Sequence, residues 1–110
     1  MSTSVQSIPP QAYAISRRLT EALAPEQVFL FGSHARGDAG PDSDLDFLVV
    51  VSQSQETRYE RAVAARRAIR GIAVPADVIV LTRAEWENDL TVVCSLASTV
   101  LREGIVLHAE

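Results

Sequence analysis

Three aspartates mark the points where turn-forming sequence gives way to apolar runs. Asp44 and Asp46 stand two positions apart, at the start of the segment that continues as Phe47–Val51. Asp77 opens a second apolar run later in the chain. Because successive side chains of a strand point to opposite faces, Asp44 and Asp46 project from one side while Leu45 faces the other. Two carboxylates held this close beside apolar residues repel each other, so the pattern favours a bound cation.

A pairing of the two apolar runs as neighbouring strands would bring all three carboxylates to one point. Convergent oxygen ligands are typical of sites for hard divalent cations, and Mg²⁺ keeps part of its coordination for water and phosphate oxygens. Taken alone, Asp77 is better explained as a solvated residue at a strand edge, and the Asp44-x-Asp46 pair is ambiguous. The metal-site hypothesis therefore depends on what else lies nearby in the chain.

A glycine–serine turn supplies the second half of the pattern. Gly32 and Ser33 directly follow the apolar run Gln27–Phe31 and precede residues that can start a helix. Glycine allows a ligand to approach the backbone closely, and the N–H groups at a helix start bind phosphate. The serine hydroxyl adds a donor, and Arg36 lies one turn further on, where its charge could face a polyphosphate. Taken alone, a Gly-Ser dipeptide is weak evidence for a phosphate site, and it gains weight only in combination with the aspartates.

The bulk properties limit the class of protein. The 110 residues, 47% of them hydrophobic, suit one compact domain spanning 1–110, in which we expect residues 1–8 to fray. The net charge of −4 disfavours direct nucleic-acid binding through a basic surface. The sequence shows neither a signal-peptide pattern nor a membrane-spanning apolar run, so we expect a cytoplasmic protein with no membrane partner. The single cysteine, Cys94, lies among apolar residues and is predicted to be a buried structural thiol.

Apolar periodicity and turn residues predict the elements that position these residues. In chain order they are a helix opening at Pro9–Pro10 and stopped by Pro25, a strand Gln27–Phe31, a short helix from the Gly-Ser turn, a strand Asp44–Val51, a helix Gln55–Ile72, a strand Asp77–Leu81, a helical segment opened by a capping box at Thr82–Glu85, a helix Val92–Glu103 ending at Gly104, and a strand Ile105–Leu107. This order predicts an α/β fold in which helices flank a small mixed sheet.

For the other polar and aromatic residues we expect positions in solvent, in the core or at an interface, without a direct part in the chemistry. His34 is predicted to be an exposed loop residue and His108 to be incidental. Trp86 and Tyr59 are predicted to serve the core or an interface rather than to stack on a base. The helical arginines are predicted to be mainly solvated, with some beside a partner; these are Arg17, Arg18, Arg58, Arg61, Arg66, Arg67 and Arg70.

The composite pattern resembles the DNA polymerase β nucleotidyltransferase superfamily. Gly32-Ser33, a spacer, and Asp44-x-Asp46 match the signature of that superfamily. The chain is most similar to the small prokaryotic branch, the minimal nucleotidyltransferases, in the segments Gly32–Gly37 and Ser43–Asp46, in Asp77, and in the ending Leu101–Leu107. The resemblance covers nearly all of the chain from Gln27 onward, and it implies the polymerase β-like fold.

The resemblance implies metal chemistry for the three acids. Asp44 and Asp46 would bridge two Mg²⁺ ions, while Asp77 would ligate only the catalytic ion and help to deprotonate the attacking hydroxyl. The implied reaction transfers a nucleoside monophosphate from ATP or another NTP, with AMP from ATP expected, and releases pyrophosphate. Gly32 and Ser33 would hold the β- and γ-phosphates, with Arg36 as a weaker candidate for the same task.

The resemblance also implies a partner, because larger members of the superfamily hold their acceptor with extra domains. In the small prokaryotic branch it implies an antitoxin that transfers AMP to a tyrosine of an all-helical HEPN ribonuclease toxin. One alternative is a small-molecule nucleotidyltransferase of the antibiotic-modifying type, acting as a homo-oligomer or with a separate helical subunit. Another is a binding antitoxin that neutralises its toxin by occlusion, without catalysis.

Overall fold

The computed structural model describes residues 8–40 and 42–110, so the expected fraying of residues 1–7 falls outside the described part. Ile8 packs against the core. The elements are α1 (Pro10–Leu23), β1 (Gln27–Phe31), α2 (Ser33–Arg36), β2 (Leu45–Val51), α3 (Arg58–Ala68), β3 (Ala76–Thr82), α4 (Arg83–Leu90), α5 (Leu96–Glu103) and β4 (Ile105–Ala109). Their order is the one predicted from the sequence. None of the helices in the described ranges has the length and apolar character needed to cross a membrane.

The four strands form one mixed sheet in the order β3-β2-β1-β4. β2 and β3 are parallel and are joined by the crossover helix α3, whereas β1 runs antiparallel to both of its neighbours, β2 and β4. β2 is an interior strand and is buried along nearly its whole length, which explains its continuous apolar run. The predicted α/β fold with a small mixed sheet flanked by helices is confirmed.

Helices cover both faces of the sheet. α1 and α3 pack on one face, where Ile15, Leu19 and Phe47 are fully buried. α4 and α5 pack on the other face around Phe29 and Trp86, whose rings stack with their centroids 5.2 Å apart. Trp86 is therefore a core residue, as predicted. The two cores together leave one end of the sheet, where β2 and β3 begin, for polar side chains.

The crossover helix α3 is shorter than the predicted span of residues 55–72. It begins only after Thr57, whose hydroxyl accepts a hydrogen bond from the Glu60 N–H at 3.1 Å while the Glu60 carboxylate accepts one from the Thr57 N–H at 2.8 Å. It ends at Ala68, because the following turns lead into Gly71, whose φ of +95° is left-handed. Tyr59 lies on this helix with 77% of its surface exposed, so it is not a core residue.

The connection between α4 and α5 differs from the predicted helix Val92–Glu103. Cys94 has a φ of +61°, which is incompatible with a continuous helix. Ser95 then caps α5, and its hydroxyl accepts a hydrogen bond from the Ser98 N–H at 3.1 Å. Cys94 is consequently exposed in the connection, and the prediction of a buried structural thiol was wrong.

A partly buried ion pair ties α3 to α4. Arg61 is 5% exposed, and its Nη2 donates to both carboxylate oxygens of Glu85 at 3.0 Å each. Glu85 also accepts from the Thr82 N–H at 2.9 Å as part of the α4 capping box that the sequence predicted. Burial alone would raise the pKa of Glu85, but the Thr82 and Arg61 hydrogen bonds and the arginine charges outweigh it, and the pKa is lowered.

This pair predicts a pH-dependent stability effect for Glu85→Gln. Glutamine keeps the acceptor for the Thr82 N–H but loses the charge opposite Arg61, so we expect a loss of about 1–3 kcal/mol at about pH 7. Because the folded pKa of Glu85 is depressed, its contribution is complete above the ordinary value of 4.5 and is lost as the pH falls through the folded pKa.

Urea denaturation from neutral pH down to about pH 3 measures the effect. The free energies of unfolding of wild type and Glu85→Gln should therefore approach each other at the acidic end. Glu87→Gln, an exposed acid on the same helix, is the control and should change stability by less than about 0.5 kcal/mol. A Glu85→Gln deficit that stays constant across this range would contradict the charge-based explanation.

Candidate active site

The register of the sheet places two of the three aspartates side by side. Phe31 of β1, Asp46 of β2 and Asp77 of β3 occupy one row across the sheet. Leu45 and Phe47 are buried against α1 and α3, so strand alternation directs Asp46 to the opposite face. Because β2 and β3 are parallel, both begin at the same edge of the sheet, and the two apolar runs pair as the sequence suggested.

Asp44 completes this group from the residue before β2. It is exposed, and it lines a cavity of about 410 Å³ together with Asp77. Arg66 and Arg70, from the end of α3 and the turn after it, line the same cavity. The two more exposed acids therefore share one open space with two cationic side chains, while Asp46 is half-buried and does not line this cavity.

Gly32 closes the turn after β1 directly against Asp46. Its φ of +77° lies in the left-handed region, and α2 begins at the next residue, Ser33. A Cβ built on Gly32 would overlap the Asp46 carboxylate. Glycine is thus required both by the backbone conformation and by the close approach. The turn at Gly32 and the start of α2 therefore lie directly beside the Asp46 carboxylate.

The charges of the three acids act on one another. Burial raises the pKa of Asp46, and the negative charges of Asp77 and then Asp44 raise it further. His34 and Arg36 offset part of this rise because their positive charges also reach Asp46. The negative charge of the acids around Asp46 is therefore only partly compensated by these two residues.

The residues of the Gly-Ser turn have further local contacts. His34 Nε2 lies 3.1 Å from the Ser43 carbonyl oxygen, and this contact links α2 to the segment before β2. His34 is consequently partly buried, and the prediction of an exposed loop histidine was wrong. Arg36 is exposed, and its Nε donates to Asp38 Oδ2 at 3.3 Å. His108 of β4 pairs with Val28 of β1, away from the aspartate row.

Asp77 already has a cationic partner. Arg66 Nη2 lies 3.4 Å from Asp77 Oδ1. Within the described ranges, no three Asp, Glu, His or Cys side chains are arranged as a metal-binding group. The backbone thus makes the three aspartates neighbours. Their carboxylate oxygens do not converge, although convergence was predicted from the sequence.

The ion pair between Arg66 and Asp77 was not predicted from the sequence, in which Arg66 is expected to be a mainly solvated helix residue. A usable signal was present, because α3 must end near the start of the strand that follows it. Basic residues in the last turn of such a helix lie close to an acid that opens the strand, as Arg66 and Asp77 do.

The comparison with known families decides the identity of the fold. The sequence profile named nucleotidyltransferase domain matches residues 13–107, a range that contains every residue of the site described above. The chain belongs to the nucleotidyltransferase domain family. This nucleotidyltransferase domain is also 35% identical over 75 residues to a dephospho-CoA kinase of Chlorobium luteolum, a match that covers 68% of this chain. The match spans only 29% of the length of the kinase.

Solved structures show the same architecture. A Sulfolobus solfataricus protein assigned as a nucleotidyltransferase superposes with a TM-score of 0.59 and 25% identity, covering 96% of this chain and 89% of its own. A toxin–antitoxin structure with AMP-PNP gives a TM-score of 0.58 at 22% identity, and a mutant of the toxin–antitoxin MntA-HpeT gives 0.56 at 19%. Each of these two matches covers 93% of this chain and 75% of the other. These two share the fold of the nucleotidyltransferase domain.

The close approach of Gly32 to Asp46 predicts energetic coupling between the two positions. Gly32→Ala should destabilise the domain by about 2–4 kcal/mol, because the left-handed φ and the overlap with the carboxylate both penalise a Cβ. Gly71→Ala provides the control for φ alone, since Gly71 has a φ of +95° with no atom within 4 Å of an added Cβ. Its cost should be about 1–2 kcal/mol.

A double-mutant cycle separates the two contributions. In an Asp46→Ala background, Gly32→Ala should cost less than it does in the wild type, because the overlapping carboxylate is gone. Chemical denaturation of the four proteins of the cycle, with Gly71→Ala alongside, gives the coupling free energy. A coupling near zero would mean that Gly32 does not approach Asp46 as described.

Proposed function

We propose that this domain is a Mg²⁺-dependent nucleotidyltransferase that transfers AMP from ATP to an acceptor hydroxyl and releases pyrophosphate. The observation that carries the proposal is the contact between the phosphate-type turn at Gly32 and the Asp46–Asp77 row. Such a contact would place the α-phosphate of a nucleotide beside carboxylates when its terminal phosphates lie on the turn. Membership of the nucleotidyltransferase domain family supports the same reaction.

The three acids are suited to hold divalent cations. Asp44 and Asp46 would bridge two Mg²⁺ ions, and Asp77 would bind one of them after turning away from Arg66. Carboxylate oxygens are the donors that Mg²⁺ prefers. Burial, followed by the negative charges of Asp77 and Asp44, raises the pKa of Asp46, and a bound cation would favour its ionised form. When bound, a metal pair of this kind stabilises both the entering and the leaving oxygens of an in-line displacement.

The remaining residues are proposed to bind the nucleotide and to accept a proton. Gly32 and Ser33 would hold the β- and γ-phosphates at the start of α2, with Arg36 as an additional charge on the same side. The acceptor oxygen would form its bond to the α-phosphorus as the bond to the bridging oxygen of pyrophosphate breaks. Asp77, on the side of the row away from Gly32, would receive the hydroxyl proton.

For the biological role we propose an antitoxin that modifies a helical HEPN-type toxin on a tyrosine. Two structures with this fold are toxin–antitoxin structures, one of them with AMP-PNP. The domain also exposes large apolar side chains of the kind that a partner covers, including Val92, Val93 and Leu101. A partner or a second copy would bury at least about 1,000 Å² in a stable complex.

A second candidate is neutralisation of the toxin by occlusion. It is favoured by one observation, the divergence of the three carboxylates in the described ranges. In this case binding of the toxin would suffice, and the acids would be dispensable. The two candidates give opposite forecasts for acid variants, which makes them separable.

Metal and nucleotide binding give the first test of the proposed reaction. Mg²⁺ or Mn²⁺ should raise the melting temperature by several degrees, and ATP with the metal should raise it further, because both bind only the folded state. Asp44→Asn and Asp46→Asn should abolish both shifts and raise the metal-free melting temperature by relieving repulsion. Differential scanning fluorimetry and titration calorimetry measure these changes.

The matched control for this test is Asp42→Asn, an exposed acid two positions before Asp44 that carries the same change of charge. It should keep both shifts. If calorimetry detects no metal-dependent nucleotide binding by the wild type, the transferase proposal fails.

The acceptor is tested by co-expression with the product of a neighbouring toxin-like gene. A toxin tyrosine should gain one AMP unit with wild-type protein and none with Asp44→Ala, Asp46→Ala or Asp77→Ala. Cell growth and the intact mass of the partner are the two measurements. Rescue of growth by all three variants, with no increase in the mass of the partner, would support occlusion and reject AMP transfer.

A further inference from the structure

Arg66 reaches the aspartate group from the opposite side of the sheet. It lies in the last turn of α3, which packs on the face opposite to Asp46, and its guanidinium contacts Asp77 near the start of the edge strand β3. The contact joins Arg66 Nη2 to Asp77 Oδ1 at 3.4 Å, with side-chain exposures of 64% and 60%. Both partners are thus open to solvent, so the contact is one that can exchange.

The other cations near the site are placed differently. Arg36 pairs with Asp38 on the nucleotide-turn side. Arg70 lines the same cavity as Arg66, Asp44 and Asp77. Among residues 8–40 and 42–110, Arg66 is the cation that forms an ion pair with one of the three acids. Its charge therefore occupies the place at Asp77 that a divalent cation would need.

We propose that Arg66 is a positioning residue that acts through Asp77 and competes with divalent cations. In the metal-free protein its positive charge offsets the negative charge of the Asp77 carboxylate, which lessens the repulsion among the acids. Metal binding requires this contact to break, because a guanidinium and a divalent cation on one carboxylate repel each other. The inference rests on the proposed function, since it takes the three aspartates as the metal site.

The size of the competition follows from the exposure of the pair. A unit charge about 6 Å from a divalent cation, in surroundings close to water and at moderate salt, changes affinity by about three- to tenfold. Removing the charge of Arg66 should therefore tighten metal binding by that factor. High salt should diminish the gain, since the Debye length falls to about 3 Å at about 1 M salt.

Binding of Mn²⁺ alone tests the proposal without any assay of turnover. Electron paramagnetic resonance measures free Mn²⁺ as the metal is titrated into wild type, Arg66→Gln, Arg66→Lys and Arg67→Gln. Arg67 is an exposed neighbour on the same helix, and it does not line the cavity. Arg67→Gln therefore carries the same change in net charge as Arg66→Gln at a different position. Asp46→Asn, expected to lose binding, assigns the signal to the aspartates.

The proposal predicts a definite order of Mn²⁺ affinities among these proteins. Arg66→Gln should bind Mn²⁺ about three- to tenfold more tightly than wild type, and about 1 M salt should erase most of this gain. Arg66→Lys and Arg67→Gln should stay within about twofold of wild type, since lysine restores the charge and Arg67 lies away from Asp77. A merely structural role would lower the melting temperature of Arg66→Gln without tightening metal binding.

Four other results would overturn the proposal. Equal affinities for wild type and Arg66→Gln would show that Arg66 does not compete with the metal, while leaving the proposed reaction intact. An equal gain in Mn²⁺ affinity for Arg67→Gln would show that the gain comes from the net charge of the protein and not from the position of Arg66. Failure of every protein to bind Mn²⁺, or binding that survives Asp46→Asn, would reject the metal site itself and the inference with it.

Discussion

Parallel pairing of β2 with β3 places the starts of both strands at one edge of the sheet, because α3 carries the chain back between them. The in-register neighbours at that edge are Asp46 and Asp77. An antiparallel pairing of these two strands would have put the carboxylates at opposite ends. The aspartate group, the adjacent cavity and the position of Arg66 all depend on this one strand pairing.

At this edge of the sheet, the burial that stabilises the fold also disfavours the charged state of the acids. Apolar residues of β2 are buried on both faces, and the acids stand directly at the end of that run, where burial and mutual repulsion raise the pKa of Asp46. The Gly32 backbone lies so close to the same carboxylate that an added Cβ would overlap it. Such a concentration of negative charge beside a closely approaching backbone is typical of a site that a ligand completes.

Two arginine–carboxylate pairs in the same domain illustrate how surroundings set the role of an ion pair. Arg61 is almost fully buried and shares its nitrogen between both oxygens of Glu85, which also caps α4. That pair joins two helices, and breaking it leaves a buried charge. Arg66 and Asp77 are exposed and meet through a single longer contact, so solvent can replace either partner and a cation can replace Arg66.

By itself the sequence determined the order of the helices and strands, the extent of β1, the starts of α4 and β4, and the residues of the candidate site. Those features depend on local patterns, such as apolar runs, capping boxes and the spacing from Gly32 to Asp46. Tertiary structure decided the features that depend on distant partners or on local backbone exceptions. Cys94 became exposed because its left-handed φ delays the start of α5. Strand register made Asp46 and Asp77 neighbours, and the packing of α3 brought Arg66 to Asp77, because both contacts join segments that are distant in the sequence.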